Sequence, residues 1–205
     1  MDSLVTQIKS LSPCDFADAL PIEQFVNPAI QSLWAPTPKL VGRAFTVFCP
    51  PGDHLMFHAA IYEAQPGDVI VAQGDPQFAL AGGNVCAIAQ QNGVAGCVVD
   101  GCVRDLAEIR EMQFPVFARG VIPKPGAKKQ LGTLRGPIVC GGVTVKHGDY
   151  VIADEEGIAI IPQNIVEQAI DKAAARNYKD ANTPLEQWRE QHINTVRSAL
   201  EKLGY

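Results

Sequence analysis

The sequence predicts an α/β fold in which consecutive βαβ units give way to a β-rich second half and C-terminal helices. Three observations carry this. Between residues 39 and 118, short apolar runs alternate with helix-length segments, the pattern of parallel strands joined by crossover helices. From Ile138 to Pro162, brief β-branched runs are separated by Gly141-Gly142 and His147-Gly148-Asp149, turns suited to antiparallel or orthogonal packing. In the last twenty residues the apolar positions recur at helical spacing.

The elements follow in order. Ser12 and Pro13 open a short capped helix through Leu20, the serine accepting an orphan amide bond and the proline suiting the first turn. LVGRAFTVF, after Lys39, is a strand. Asp53 caps a helix from His54 to Ala64 that ends before Pro66-Gly67. Strand Asp68–Ala72, helix Asn84–Asn92 stopped by Gly93, strand Gly96–Val99, helix Arg104–Gln113 and strand Pro115–Ala118 complete the βαβ series. A turn-rich basic stretch leads to short strands at Ile138–Cys140, Val143–Val145, Tyr150–Ile152 and Gly157–Pro162. A helix from Ile165 to about Asn177 comes next. Thr183 and Glu186 then read as a capping box. It opens a final helix with Leu185, Trp188, His192, Val196, Ala199 and Leu203 on one stripe. That stripe must dock on the protein's own core or on a neighbouring subunit.

With 205 residues, 47% hydrophobic and 19% charged, the chain can bury a full core without disulfides or structural metal. This excludes a disulfide-stapled miniprotein and a disordered regulator. The expectation is one domain over 1–205, with 163–205 as a C-terminal helical extension. A net charge of −5 argues against nucleic acid as a ligand. MDSLVTQIKSLSPCDF has neither a basic n-region nor an apolar h-region, and no stretch reaches the roughly 18 apolar residues of a membrane span. The six cysteines form no CxxC pair and sit mostly in apolar runs, so they read as reduced core thiols of a cytoplasmic protein without membrane partners.

Ligands of parallel α/β units bind at the carboxyl ends of strands, and two such ends stand out. At the first, Gly82-Gly83 leads into a helix whose opening amides, at Gly83, Asn84, Val85 and Cys86, are free to hold a carboxylate; the plainer alternative is a tight helix entry. At the second, Asp100 closes a strand, Gly101 permits an unusual turn, and Arg104, Asp105 and Glu108 share one face of the helix that follows. An oxygen-rich cluster of this kind suits a hard cation such as Mg²⁺, which takes one or two carboxylates and keeps its waters. Arg104 suits a substrate carboxylate or a developing enolate. The alternative there is an exposed helix with an Arg104–Glu108 ion pair. His54 and His58 have a zinc-type spacing but no third ligand, and read as core or surface histidines. Lys124, Lys128, Lys129 and Arg135 read as a solvated loop. No GxSxG, Walker or Rossmann fingerprint occurs.

Gly83, twenty residues, Arg104-Asp105, two residues and Glu108, taken together, resemble the signature of the RraA-like family, which includes the divalent-metal-dependent 4-hydroxy-4-methyl-2-oxoglutarate aldolases. The likeness extends to SPCDFADAL, GDVIV, GCVVDGCVRD, FPVFARG and GGVTVKHGDYVIADEEGIAIIP. The resemblance implies a swivelling β/β/α-type sandwich, assembled as a homotrimer or homohexamer with sites near subunit interfaces. It implies that Asp105 holds Mg²⁺ or Mn²⁺, with Glu108 contributing through water and Asp100 supporting from behind. It also implies that Arg104 contacts the pyruvyl part of a small 2-oxo acid, whose carboxylate meets the amides of Gly83 to Cys86. A neighbouring subunit's C-terminal region supplies a further acid in such sites, and Asp180, Glu186 and Glu190 all qualify. The expected activity is class II cleavage of 4-hydroxy-4-methyl-2-oxoglutarate-type acids to pyruvate, with oxaloacetate decarboxylation through the same enolate. The alternative is a non-enzymatic regulator that binds a ribonuclease, against which the acidic Glu108 counts.

Overall fold

The computed structural model describes residues 2–205, and the longest uninterrupted apolar runs lie at its centre. In chain order the strands are β1 (Gln31–Ser32), β2 (Leu40–Phe48), β3 (Asp68–Gln73), β4 (Ala79–Ala81), β5 (Gly96–Val103), β6 (Val116–Val121), β7 (Thr133–Leu134), β8 (Ile138–Cys140), β9 (Val143–Val145), β10 (Tyr150–Asp154) and β11 (Gly157–Ile161). The α-helices are α1 (Ser3–Lys9), α2 (Leu55–Glu63), α3 (Gly83–Gln91), α4 (Leu106–Glu111), α5 (Val166–Asn182) and α6 (Leu185–Lys202). Ser12 opens a 3₁₀ turn over Pro13–Phe16 with a reciprocal capping box to Asp15, close to the expected short helix.

Nine strands form one mixed sheet along the path β1-β6-β5-β3-β2-β10-β11, with β4 on β5 and β7 on β2. β2, β3, β5 and β6 pair in parallel, joined by crossovers that contain α2, α3 and α4 as the βαβ reading required. Both faces of these strands are covered, which explains why they lack polar alternation. Along β3, Ile70 and Ala72 face the layer of α2, α3 and α4, whereas Val69 and Val71 face an inner core with Leu40, Phe117 and Ile160. The β8–β9 hairpin contributes Ile138, Cys140, Val143 and Val145 to that inner core. Just before β1, the Val26 N–H donates to the carbonyl of Ile158 in β11 at 3.0 Å, so the sheet is nearly closed into a barrel. α1 and the first half of α5 cover β10 and β11 through Ile8, Ile170 and Ala173.

Several boundaries differ from expectation. β5 runs through to Val103, because pairing with β6 resumes at Cys102 and Val103 after a register shift; Asp100 is therefore inside the strand. The next helix starts at Leu106, leaving Arg104 and Asp105 outside it. β10 pairs with β2, so the β-rich second half completes the first half's sheet. Thr183 makes no capping box: its hydroxyl donates back to the Lys179 carbonyl at 2.7 Å, and Pro184 holds the cap position. None of the residues of α6 is buried, and its apolar stripe, with Trp188 stacked on His192, is uncovered within the described residues. Cys14 is exposed, while the other five cysteines are buried and all six are free; burial pushes the Cys86 and Cys140 thiols up to about 12. Among the described residues no helix is long and apolar enough to cross a membrane.

The segments that leave the carboxyl ends of β2, β4, β5 and β6 meet at one edge of the sheet, and a buried carboxylate bolts two of them together. Asp53, 2% exposed, accepts from the amides of Leu55 at 2.8 Å, Lys129 at 2.6 Å and Gln130 at 3.1 Å. Burial alone would raise its pKa, but these three amides outweigh that and hold the carboxyl below its ordinary 3.8. Asp53→Ala strands three amides and is expected to cost about 2–4 kcal/mol in urea denaturation. Because the folded pKa is depressed, the carboxylate's contribution is present above pH 3.8 and fades as pH falls through the lower folded value; the corresponding acid-side loss should be missing in Asp53→Asn.

Candidate active site

A cleft of about 320 Å³ opens at this edge. Its walls come from the start of α2, the β4–α3 entry, the end of β5 and the loop after β6, through His54, Asn84, Arg104, Asp105 and Lys128 among others. The first determinant is the absence of side chains at Gly82 and Gly83. A Cβ on Gly82 would lie 2.5 Å from Asp105 Oδ2, and one on Gly83 would lie 1.7 Å from Glu108 Oε2. Two carboxylates thus fill the space the glycines leave.

Asp105 reaches this position because its backbone is left-handed, at φ 58° and ψ 40°, a region that Asp tolerates better than most residues. Its Oδ2 accepts the Gly83 N–H at 3.1 Å and lies 3.3 Å from Arg104 Nε. Arg104 is anchored by its own N–H, which donates to the Ala81 carbonyl at 3.0 Å. The ion pair is about 40% exposed on each side and contributes little to stability. Its consequence is orientation, since only Nε of the guanidinium is engaged by Asp105.

The sequence-predicted residues therefore do not all converge. Arg104, Asp105, Asn84 and Val85 line the cleft, and Glu108 lies against Gly83. Of the four helix-opening amides, however, Gly83's is spent on Asp105 and Cys86's on the Gly82 carbonyl. The free donors are Asn84 and Val85. Cys86 is buried beneath them. Asp100 is not part of this site: its carboxylate binds Arg119 and accepts the Gly141 N–H at 2.7 Å, and Gly141 packs against Val26 and Ile30 of the inner core.

Sequence reasoning missed His54, His58 and Lys128. For His54 and Lys128 the signal was their place in the connections that follow β2 and β6; His58 follows His54 by one turn of α2. The His54 and His58 rings pack with centroids 4.3 Å apart. Burial, then the neighbouring cations, lowers both; His58 falls to about 4. Both are neutral near pH 7, leaving Arg104 and Lys128 as the cleft's cations.

Asp105 and Glu108 are hard oxygen donors in a cradle that a Cβ would fill, a set that fits Mg²⁺ or Mn²⁺. Among the described residues no group of three or more His, Cys, Asp or Glu residues could hold a metal, so an ion bound there would have at most these two carboxylates and would keep several waters.

A family model described as RraA-like, Aldolase/RraA, matches residues 13–160. The chain belongs to the RraA-like family. A protein of Halalkalibacterium halodurans, provisionally named 4-hydroxy-4-methyl-2-oxoglutarate aldolase, is 35% identical over 201 residues, covering 97% of this chain and 94% of its own. A Thermus thermophilus protein named 4-hydroxy-4-methyl-2-oxoglutarate aldolase is 34% identical over 113 residues, 54% of this chain and 69% of its own. Among solved structures, that of the RNA-processing inhibitor RraA from Thermus superposes with a TM-score of 0.65 at 31% identity, covering 73% of this chain and 91% of its own. RraA-like relatives thus carry different names, among them those of a lyase and of an inhibitor.

The overlap at Gly83 is directly testable. Because the Glu108 carboxyl end can swing into solvent, Gly83→Ala should cost no more than about 1 kcal/mol of unfolding free energy, and that cost should shrink in a Glu108→Ala background; additive losses in this double-mutant cycle would contradict the overlap.

Proposed function

We propose that this RraA-like protein is a divalent-metal-dependent carbon–carbon lyase that cleaves 4-hydroxy-4-methyl-2-oxoglutarate-type acids to pyruvate and decarboxylates oxaloacetate through the same enolate. The observation that carries this reading is the joint presence, in one cleft, of the Asp105 carboxylate, the Arg104 guanidinium and two free helix-opening amides, with the Glu108 carboxylate against Gly83 at the same helix entry. The names of the aldolase relatives support it.

The carboxylate of the 2-oxo acid meets the Asn84 and Val85 amides at the positive end of α3. Arg104 faces the 2-oxo oxygen. As the bond to C3 breaks, negative charge grows on that oxygen, and Arg104 stabilises it more than it does the ground state, which lowers the barrier. Asp105 holds Arg104 in place through Nε. Asp105, with Glu108 beside it, would hold the Mg²⁺ or Mn²⁺, whose contribution when bound is Lewis-acid polarisation of the 2-oxo group. In the same reading the subunits assemble as a homotrimer or homohexamer, which covers the apolar stripe of α6.

Pyruvate release, followed with a lactate dehydrogenase couple, should be metal-dependent with either substrate and abolished by excess EDTA. Arg104→Ala should lower kcat/KM by about 10²–10³-fold. Asp105→Asn, which keeps a residue tolerant of left-handed backbone, should be as damaging while leaving urea denaturation within about 1 kcal/mol of the parent. Normal turnover in either variant contradicts the assignment. No release by well-folded protein, together with capture of a ribonuclease, would favour the regulator that the inhibitor relative represents.

A further inference from the structure

Retro-aldol cleavage needs a group to take the proton of the substrate's 4-hydroxyl; Arg104 and the helix amides cannot accept one, and the carboxylates of Asp105 and Glu108 are turned to the entry of α3 and to Arg104. Resting on the lyase reading above, we infer that His54 is the proton acceptor, its Nε2 presented to the cleft by the contact of Nδ1 with the Ala79 carbonyl and by the backbone bolt between α2 and the loop after β6.

The side chain is 8% exposed yet lines the cleft. Nδ1 lies 3.3 Å from the Ala79 carbonyl oxygen. A carbonyl only accepts, so Nδ1 carries the proton and Nε2 the lone pair. Nε2 is not among the buried atoms that lack a partner, as expected of a nitrogen open to the cleft. The backbone is held equally firmly. The His54 N–H donates to the Ala127 carbonyl at 2.9 Å, and the His54 carbonyl accepts the His58 N–H at 3.2 Å. A base fixed at ring and backbone can meet a hydroxyl at one position, as proton transfer requires.

The surrounding charges keep it in the basic form. Burial, with Lys128 from the loop and Arg104 from the end of β5, disfavours an imidazolium at His54 and outweighs the Ala79 carbonyl contact and the Asp53 charge, which favour it. Of the anions nearby, Asp53 is turned to the amides of Leu55, Lys129 and Gln130, and Asp105, which lines the same cleft, is turned to Gly83 and Arg104. His58, lowered to about 4, is too weak a base to take this role near pH 7.

In the step, Nε2 takes the proton of the C4 hydroxyl, and the O–H electron pair becomes the new C4–O π bond. The C3–C4 bond breaks, and its pair passes to C3 and the 2-oxo oxygen as the enolate beside Arg104. The imidazolium then returns its proton to C3, giving pyruvate and the carbonyl co-product. Oxaloacetate has no 4-hydroxyl: carbon dioxide leaves with no proton to remove, and solvent can protonate the enolate.

The two substrates therefore separate the role. His54→Asn keeps a favourable residue at the start of α2. It should lower kcat on the 4-hydroxy acid by about 10²–10⁴-fold while changing oxaloacetate decarboxylation by less than about 10-fold, and should erase an acid limb that wild-type aldol cleavage shows below pH 6.5. Equal losses with both substrates, or no loss with either, overturn the inference. So does the same split arising in His58→Asn instead. A wild type active on oxaloacetate whose aldol cleavage survives His54→Asn leaves the lyase reading standing and removes His54 alone; a wild type silent on both substrates removes both.

Discussion

Two missing side chains hold the site open. Because Gly82 and Gly83 have no Cβ, the carboxylates of Asp105 and Glu108 can lie against the entry to α3, where the positive end of a nine-residue helix favours negative charge. Any larger residue there would push the acids outward and separate them from the helix amides. The left-handed backbone of Asp105 follows from the same requirement. A right-handed continuation from β5 into α4 would point this side chain elsewhere, and the local strain is retained where the carboxylate's contacts to Gly83 and Arg104 compensate it.

The cleft is a boundary between four connections, and its precision depends on how they are tied. Arg104 is fixed to β4 through Ala81, the loop after β6 to α2 through Ala127, and both flanks of Asp53 to one buried carboxylate. Each tie engages a backbone N–H, so losing one takes away that group's partner. Loops that would otherwise be mobile thereby behave as extensions of the sheet. The electrostatic result is a pocket that brings Arg104, Lys128, Asp105 and the rings of His54 and His58 together at the positive end of α3.

The C-terminal part illustrates a different balance. α5 begins as a core helix, with Val166, Ala169, Ile170 and Ala173 buried, and ends in solvent. α6 continues outward with an apolar stripe that no described residue buries. That the stripe is apolar was plain from its spacing; whether it faces its own core depends on where α5 directs it, and α5 directs it away.

The pattern of apolar runs alone determined the βαβ series, the β-rich second half and the two terminal helices, because burial on one face or both imposes a period that composition reveals. Residue type and neighbourhood likewise marked Gly82-Gly83, Arg104-Asp105 and Glu108. What lay beyond reach were features set by contacts distant in sequence. The extension of β5 past Asp100 depends on pairing with β6 after a register shift. The diversion of Asp100 to Arg119 and Gly141 depends on the β8–β9 hairpin lying against the inner face. The partition of the α3 amides between Asp105 and the free pair depends on one left-handed residue 22 positions away. His54, His58 and Lys128 became neighbours of Arg104 only because four strands end at the same edge. The one-dimensional pattern encodes which faces are buried; which side chains then meet across those faces is decided by register and packing, which only the folded chain specifies.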